Sequence, residues 1–352
     1  MHYALNPMKH ACLLLLALLA LVAGAAPVAP TDSAVLWVGR TAVTPEGAVK
    51  FNYPGVTARL RFEGPTLGML TSPGSGYFVV EVDEQPARKV FYGPADSFQL
   101  LAEGLGDGPH EARITYAVEG YEYKPEIREF VVDRLLEAPE PGKLKIEFIG
   151  NSITCGYGTE ADGADKHFTY DTENHLLTYA HLTAMALGAD AQIVARSGIG
   201  AYRNYNGPRE GSPDQTMPLE YDRTMLYEPA PLWDFSSWRP DIVCINLGTN
   251  DTSTNNYDIA RFEKAYSNFL DHVMEMNPGA KIVLLSGSML NGKELEDVTA
   301  ALNSVAASHP GVYRFDMTPL DPALGYGADY HPSARQAIVM ARELTAFLRS
   351  IL

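Results

Sequence analysis

Four short polar or glycine-rich segments follow strand-like apolar runs in the second half of this 352-residue sequence. They occupy residues 150–152, 197–200, 248–251 and 329–332. Parallel strands bring their carboxyl ends to one edge of a sheet, and open α/β sheets bind ligands in the crevice at that edge. We therefore expect the four segments to converge on one site, and their side chains are the first candidates for chemistry.

Ser152 and His331 have the residue types that acyl transfer requires. A serine hydroxyl is a weak nucleophile until an adjacent base takes its proton, and an imidazole titrates near neutrality. The sequence thus predicts Ser152 as the nucleophile and His331 as the base. Each residue has a plainer alternative, because serine is a favoured helix N-cap and a histidine before Pro332 can simply precede a helix.

The tetrahedral intermediate of acyl transfer carries a negative oxygen, which fixed hydrogen-bond donors must stabilise. The backbone N–H of Ser152 and the backbone N–H of Gly198 or Gly200 are two candidate donors. The side-chain amide of Asn250 is the third. The plainer alternative is that the glycines and Asn250 are ordinary turn residues.

Alternating strands and helices are expected to position these residues. From residue 143 onward, apolar runs occur at 144–149, 192–195, 242–247, 282–285 and 312–315. Helix-length stretches occur at 175–187, 259–276, 294–307 and 333–352. Nearly continuous apolar strands joined by helices indicate an α/β domain over 143–352, with a parallel sheet covered on both faces.

The first half of the chain has a different pattern. Short β-runs at 35–38, 58–62, 77–82, 112–116 and 128–132 are separated by turns rich in Gly, Pro and Asp. This pattern predicts a β-sandwich of jelly-roll type over 30–138. The segment 136–142, with Pro139 and Pro141, is the predicted linker.

Three segments resemble the sequence blocks of the GDSL/SGNH hydrolases. They are Ile146-Glu-Phe-Ile-Gly-Asn-Ser-Ile-Thr-Cys-Gly-Tyr-Gly158, Asn246-Leu-Gly-Thr-Asn-Asp251 and Asp329-Tyr-His-Pro332. More narrowly, the chain resembles carbohydrate esterase family 2, the bacterial acetyl xylan esterases. Further matches at 202–205, 216–218, 221–224 and 233–235, and the order of the two domains, carry that narrower resemblance.

This resemblance implies a three-layer α/β/α hydrolase domain of SGNH type after the jelly-roll sandwich. It implies an esterase that removes O-acetyl groups from xylan- or mannan-type hemicellulose, with the 6-position of the sugar as a candidate site. Ser152 becomes the nucleophile and His331 the base. Gly200 and Asn250 become oxyanion donors, with Gly198 as the other register of the glycine pair.

The chain departs from the family pattern at three positions. Asn151 stands where most relatives have Asp, and Ala328 stands where the wider superfamily has the Asp that orients the histidine. Either Asp329 or a backbone carbonyl is therefore expected to orient His331. Tyr330 stands where many relatives have Trp and still offers an aromatic face to a sugar ring.

Several other aromatic residues are candidates for sugar binding. Tyr202 and Trp233 join Tyr330 as predicted substrate-binding residues, and Tyr205 and Trp238 are weaker candidates. Burial in the core is the plainer interpretation of all except Tyr330, since buried aromatic side chains are common.

Charge and motifs exclude several classes of function. The formal net charge of −16 argues against nucleic acid or an anionic membrane as a partner. The sequence has no dinucleotide-binding fingerprint, no phosphate loop and no zinc-binding histidine motif. We therefore predict no cofactor and no metal, and an acetylated polysaccharide or oligosaccharide as the partner.

The first residues predict export. Lys9 precedes an apolar run at 11–22, and Ala23-Gly24-Ala25 has the small residues of a cleavage site. Residues 1–25 are thus predicted to be a signal peptide, with an uncleaved anchor as the alternative, and the protein to be secreted or periplasmic. Cys155 and Cys244 remain after cleavage, and buried thiols are favoured over a disulfide.

Two other functions stay open on the sequence alone. One is a carbohydrate-binding protein with a vestigial hydrolase site, which Asn151 and the uncertain third catalytic member keep open. The other is an SGNH esterase acting on a different acyl substrate, such as a lipid or a peptidoglycan acetyl group.

Overall fold

The structure is a computed structural model that describes residues 24–253 and 256–352. The predicted signal peptide lies outside the described residues except for Gly24 and Ala25. No helix in the described part of the chain is long and apolar enough to cross a bilayer.

Twelve antiparallel strands form the first half of the described chain. They are β1 Ala26–Val28, β2 Leu36–Val38, β3 Ala42–Val43, β4 Val49–Lys50, β5 Thr57–Glu63, β6 Leu67–Thr71, β7 Gly76–Val82, β8 Arg88–Tyr92, β9 Phe98–Ala102, β10 Pro109–Tyr116, β11 Glu126–Val132 and β12 Arg134–Leu135. One sheet has the order β3-β4-β11-β6-β9 with β1 beside β11. The other has the order β12-β5-β10-β7-β8 with β2 beside β5.

This strand order is that of a jelly roll. Strands β4-β11-β6-β9 form one sheet and β5-β10-β7-β8 form the other, so the predicted sandwich is confirmed. Alternation of inward and outward side chains along β5 produced its strand signal. The structure adds strands that the sequence did not predict. Among them, β8 and β9 end their sheets, and β9 is only partly buried, so its hydrophobic pattern is weak. Strand β6 was missed although it is buried between β11 and β9.

Five parallel strands form the sheet of the second half. They are β13 Leu144–Gly150, β14 Ala189–Ala195, β15 Ile242–Ile245, β16 Lys281–Ser286 and β17 Tyr313–Asp316, in the order β14-β13-β15-β16-β17. The α-helices are α1 Ser152–Cys155, α2 Tyr179–Leu187, α3 Met217–Glu220, α4 Ile259–Met276, α5 Gly292–Ser308 and α6 Ala334–Ile351. Short 3₁₀ turns span Tyr170–Thr172, His175–Leu177, Pro322–Leu324 and Ala328–Tyr330.

Helices cover both faces of this sheet, which confirms the predicted three layers. Val243 and Ile245 of β15 pack in the cluster that contains α4 and α5 residues. Their neighbours Ile242 and Cys244 pack in the cluster that contains α2 and α6 residues. The predicted helix at 175–187 begins as a 3₁₀ turn, because the Thr178 side chain caps α2 by accepting from His181 N–H.

The sheet has its topological switch at β13, since β14 lies on one side of β13 and β15 on the other. A crevice opens where the connections after β13 and β15 leave in opposite directions. Ser152 follows β13 and Asn250 follows β15, so both lie at this crevice.

The sandwich is joined to the α/β half by buried polar contacts. Arg40 of the sandwich forms a salt bridge of 3.2 Å with Glu147 of β13, and neither side chain is more than 1% exposed. Glu147 also accepts from the Tyr221 hydroxyl at 2.7 Å. A buried ion pair needs such extra hydrogen bonds to offset desolvation, so this junction fixes one orientation of the two halves.

Both described cysteines are free and buried. Cys155 lies in α1 and Cys244 in β15, and each belongs to the core of the α/β half. The prediction of buried thiols is confirmed.

Candidate active site

Ser152 is the first residue of α1 and comes two positions after the end of β13. The N-cap of this helix is Asn151, whose side-chain oxygen accepts from Ile153 N–H at 3.1 Å. Ser152 is therefore not the cap, and its hydroxyl is free to face the crevice. It lies 2.8 Å from Nε2 of His331, a residue 179 positions later in the chain.

The backbone carbonyl of Ala328 orients His331. Nδ1 of the ring lies 3.1 Å from that oxygen, which makes Nδ1 the protonated nitrogen. Nε2 then has a free lone pair directed at the Ser152 hydroxyl. Of the two groups expected to orient the ring, the structure favours the carbonyl.

Asp329 is not the third member of a catalytic triad, because its carboxylate hydrogen-bonds elsewhere. It accepts from the Tyr157 hydroxyl at 2.9 Å and from Phe168 N–H at 3.1 Å, and it pairs with His167 at 2.9 Å. Burial alone raises the pKa of Asp329, but the hydrogen bonds outweigh it and lower the pKa below the usual value. Asp329 is thus ionised, and its hydrogen bonds stabilise the turn before His331.

The environment of His331 keeps the ring neutral. Burial lowers its pKa to about 4, although the carbonyls of Ala328 and Asp329 act in the opposite direction. Tyr157 stacks on the ring with centroids 4.0 Å apart and planes 26° apart, which supplies part of this desolvation. A neutral imidazole at neutral pH is the form that can accept a proton from Ser152.

The oxyanion donors differ from the predicted set at one position. Gly200 N–H donates to the Asn204 side chain at 3.1 Å, so it is not available to a substrate. A Cβ at Gly200 would lie 2.0 Å from the Arg203 carbonyl, which shows that close loop packing requires this glycine. Gly198 instead lines the cavity beside Ser152, so the structure favours it over Gly200 as the candidate glycine donor.

Asn250 also lines this cavity, as predicted. One N–H of its side-chain amide donates to the Ile199 carbonyl at 2.8 Å, which fixes the amide. An amide nitrogen has a second N–H, and this one is available to a substrate oxygen. Asp251 stabilises the same loop by accepting from the N–H groups of Ala201, Tyr202 and Arg203.

Comparison with known proteins agrees with this geometry. Residues 37–139 match the family described as Carbohydrate esterase 2 N-terminal, and residues 148–336 match the GDSL-like Lipase/Acylhydrolase family. A solved family two carbohydrate esterase from Clostridium thermocellum, in complex with cellohexaose, has a TM-score of 0.83 and 34% identity. The match covers 90% of this chain and 98% of that chain. This chain belongs to carbohydrate esterase family 2.

Two curated relatives extend the comparison. An acetylxylan esterase/glucomannan deacetylase from Cellvibrio japonicus is 29% identical over 92% of this chain and 91% of its own length. Cellulase/esterase CelE from Acetivibrio thermocellus is 34% identical over 90% of this chain. This chain spans only 39% of the length of CelE.

The cleft of the esterase has a volume of about 730 Å³. Beyond the catalytic residues, its walls include Tyr205, Met289, Leu290, Asn291 and Glu294. Tyr205 is 61% exposed, so an aromatic face is available within reach of Ser152. This mixture of apolar, aromatic and polar groups suits a sugar, which has both apolar faces and hydroxyl edges.

None of the three predicted substrate-binding aromatics is among the residues that line this cleft. Tyr202 is only 7% exposed and its hydroxyl accepts from Asp258 N–H at 2.9 Å. Trp233 lines a different cavity and packs 5.2 Å from the Arg40 guanidinium at the junction with the sandwich. Tyr330 is 65% exposed between two lining residues, Asp329 and His331, but it does not itself line the cleft.

A buried group of three donors lies next to the site. One ligand atom each from Glu119, Cys155 and Glu173 lies within 4.8 Å of the others. Burial, reinforced by Glu119, raises the pKa of Glu173 and of the Cys155 thiol well above their usual values. The protonated thiol donates to Glu119 Oε2 at 3.5 Å, and burial favours the protonated form of Glu173.

Sequence reasoning missed two residues that act on the site. Tyr157 stacks on His331, and its position five residues after the nucleophile was a signal within the recognised block. Glu119 belongs to the sandwich and accepts from Ser197 N–H at 2.6 Å. Nothing in the sequence connects Glu119 with a loop 78 residues later.

Proposed function

We propose that the protein removes O-acetyl groups from hemicellulose, of xylan or glucomannan type, through a covalent acetyl-enzyme on Ser152. The observation that carries this proposal is the 2.8 Å contact between Ser152 Oγ and an imidazole nitrogen with a free lone pair. The substrate class is supported by the names of the Cellvibrio japonicus relatives.

The reaction begins when His331 Nε2 takes the proton from Ser152 Oγ. The oxygen attacks the acetyl carbon, and the carbonyl oxygen becomes an oxyanion held by the N–H groups of Ser152, Gly198 and the Asn250 side chain. As the tetrahedral intermediate collapses, His331 gives its proton to the departing sugar oxygen. The sugar then leaves with a free hydroxyl and the acetyl group remains on Ser152.

Water completes the cycle by the same route. His331 takes a proton from a water molecule, which attacks the acetyl carbon, and the second tetrahedral intermediate collapses to acetate and free Ser152. Ala328 contributes through its carbonyl, since that acceptor stabilises the imidazolium formed in both halves of the reaction. The mechanism therefore works with a Ser–His pair and no side-chain carboxylate.

Acetate release from acetylated xylan and acetylated glucomannan tests the proposal. Ser152→Ala should lower the rate at least about 10⁴-fold, since removing the nucleophile of a serine hydrolase costs up to about 10⁶ in kcat. An unchanged far-ultraviolet circular dichroism spectrum controls for folding. Equal rates for the two proteins contradict the proposal.

Glucan binding in the same cleft is a second candidate function. The solved relative from Clostridium thermocellum holds cellohexaose, and Tyr205 offers an exposed aromatic surface beside Ser152. Cellohexaose should then inhibit acetate release competitively, and Tyr205→Ala should weaken the inhibition. The intact Ser–His contact favours an active enzyme over a binding protein with a vestigial site.

Secretion is part of the proposal, because polysaccharide substrates lie outside the cell. It is supported by the apolar run at 11–22 and the small residues that follow it. N-terminal sequencing of the protein from the medium or periplasm tests it, and a mature N-terminus near residue 26 is expected.

A further inference from the structure

Glu119 connects the sandwich to the active site through one carboxylate oxygen. The residue follows β10, which ends at Tyr116, and is only 5% exposed. Its Oε2 accepts from Ser197 N–H at 2.6 Å. The same oxygen accepts from the Cys155 thiol at 3.5 Å.

The two partners of this oxygen belong to the two segments that supply backbone oxyanion donors. Ser197 directly precedes Gly198, which lines the cavity beside Ser152. Cys155 is the last residue of α1, and Ser152 is the first. A single atom of the sandwich therefore holds the loop after β14 against the helix after β13.

Neighbouring groups hold Glu119 in this position. Glu119 N–H donates to Oε2 of Glu173 at 3.3 Å, and Glu173 is fully buried. Two residues further along, His175 N–H donates to the Ala117 carbonyl at 2.8 Å, and the His175 ring lies 2.9 Å from the Thr154 carbonyl of α1. The segment 117–119 is thus fixed on the helix that carries the nucleophile.

We propose that Glu119 is a positioning residue for the oxyanion hole. Through this residue, the sandwich contributes to catalysis by the other half of the protein. This inference rests on the proposed function, in which the Ser152 and Gly198 N–H groups hold the oxyanion. Without the Glu119 carboxylate, Ser197 N–H loses its acceptor, and the first residues of the loop lose the contact that holds them against α1. A misplacement of about 1 Å at a reacting group can cost about 100-fold in rate.

The test is steady-state kinetics of Glu119→Ala and Glu119→Gln with p-nitrophenyl acetate and acetylated xylan. Glu119→Ala should lower kcat about 10- to 100-fold with KM within about twofold, because the oxyanion forms only after substrate binding. Glu119→Gln keeps an oxygen that can accept from Ser197 N–H, so its kcat should recover to within about threefold of the native value.

Asp190→Ala is the matched control. Asp190 is also a buried carboxylate between the two halves, accepting from Arg59 of the sandwich at 3.3 Å and from Gly142 N–H at 2.7 Å. It is the second residue of β14, at the opposite end of the strand from Ser197. Asp190→Ala should lower the melting temperature about as much as Glu119→Ala and leave kcat unchanged.

Two outcomes overturn the inference. One is a Glu119→Ala protein that melts earlier but retains the native kcat. The other is a loss of kcat that is equal in Glu119→Ala and Asp190→Ala, which indicates general destabilisation. Ser152→Ala in the same assays separates this result from the proposed function: if that variant stays active, the Ser152 mechanism fails whatever Glu119 does.

Discussion

The turn that carries Ser152 and the turn that carries His331 meet at 2.8 Å, but they are stabilised in different ways. The nucleophile turn, residues 150–156, is buried and is closed by local hydrogen bonds. Asn151 caps the helix, and Gly156 N–H closes it by donating to the Ser152 carbonyl at 3.0 Å. The two hydrogen bonds that cap and close its helix join residues within five positions of one another.

The histidine turn, residues 327–331, depends on distant residues. Asp329 and Tyr330 have φ values of +49° and +62°, a left-handed backbone conformation that is unfavourable for residues other than glycine. Such strain persists only where surrounding contacts enforce it. Here the enforcing contacts are those of Asp329 with Tyr157, His167 and Phe168, more than 160 positions earlier. The comparison teaches that local hydrogen bonds shape the nucleophile turn, whereas the strained conformation of the histidine turn needs distant contacts to enforce it.

Removing His331, the proposed base, should have the largest effect on kcat. It tests the contact between Ser152 and His331, where the two turns meet. We expect His331→Ala to lower kcat with p-nitrophenyl acetate at least about 10⁴-fold, because Ser152 then lacks a proton acceptor. The melting temperature should change little, since the ring is only partly buried. A loss of less than tenfold contradicts the assignment of His331 as the base.

Removing the Asp329 carboxylate, which stabilises the histidine turn, should have an intermediate effect on kcat. Asp329→Ala deletes three hydrogen-bonding contacts, and we expect kcat to fall about 10- to 100-fold as the strained turn relaxes. Asp329→Asn keeps an acceptor oxygen and should remain within about tenfold of the native kcat. In enzymes whose Asp orients the histidine, the same change to Asn costs about 10⁴-fold, so a loss of that size restores Asp329 as a catalytic residue.

The pH dependence of kcat/KM tests the protonation state of the base in the histidine turn. His331 must be neutral to act as a base, and burial lowers its pKa to about 4. We expect kcat/KM to stay level from neutral pH down to about pH 5 and to fall about tenfold per pH unit below pH 4. An acidic limb centred near the ordinary histidine value of 6.5 contradicts this prediction.

The same shift affects stability. The unfolded chain takes up the His331 proton at higher pH than the folded protein, so protonation favours unfolding. The contribution of His331 to the free energy of unfolding should decrease as pH falls from about 6.5 to about 4. Urea unfolding of the native protein and of His331→Gln across this window measures the difference.

Removing the cap of the nucleophile turn should have the smallest effect. Asn151→Ala deletes the side-chain acceptor for Ile153 N–H, and loss of an N-cap typically costs about 1 kcal/mol of stability. Because Gly156 still closes the helix, we expect kcat to fall less than about tenfold. A loss as large as that of Asp329→Ala contradicts the distinction between the two turns.

The sequence by itself predicted the buried parallel strands, the long helices and the residue types of the proposed site. Nearly continuous apolar runs such as Leu144–Gly150 indicated the buried parallel strands, and alternation as in Thr57–Glu63 indicated the sandwich. Ser152 and His331 followed from residue type and from position after a strand. These signals lie within a few residues of one another, so secondary-structure periodicity is sufficient to detect them.

Only the tertiary structure decided which groups contact these two residues. It left Gly198 as the proposed glycine donor, because Gly200 N–H donates to the Asn204 side chain. It assigned the orientation of His331 to the Ala328 carbonyl because Asp329 faces Tyr157, and it brought Glu119 from the sandwich to Ser197. The physical reason is that a hydrogen bond depends on distance and direction in space, and these partners are set by packing between segments far apart in the chain.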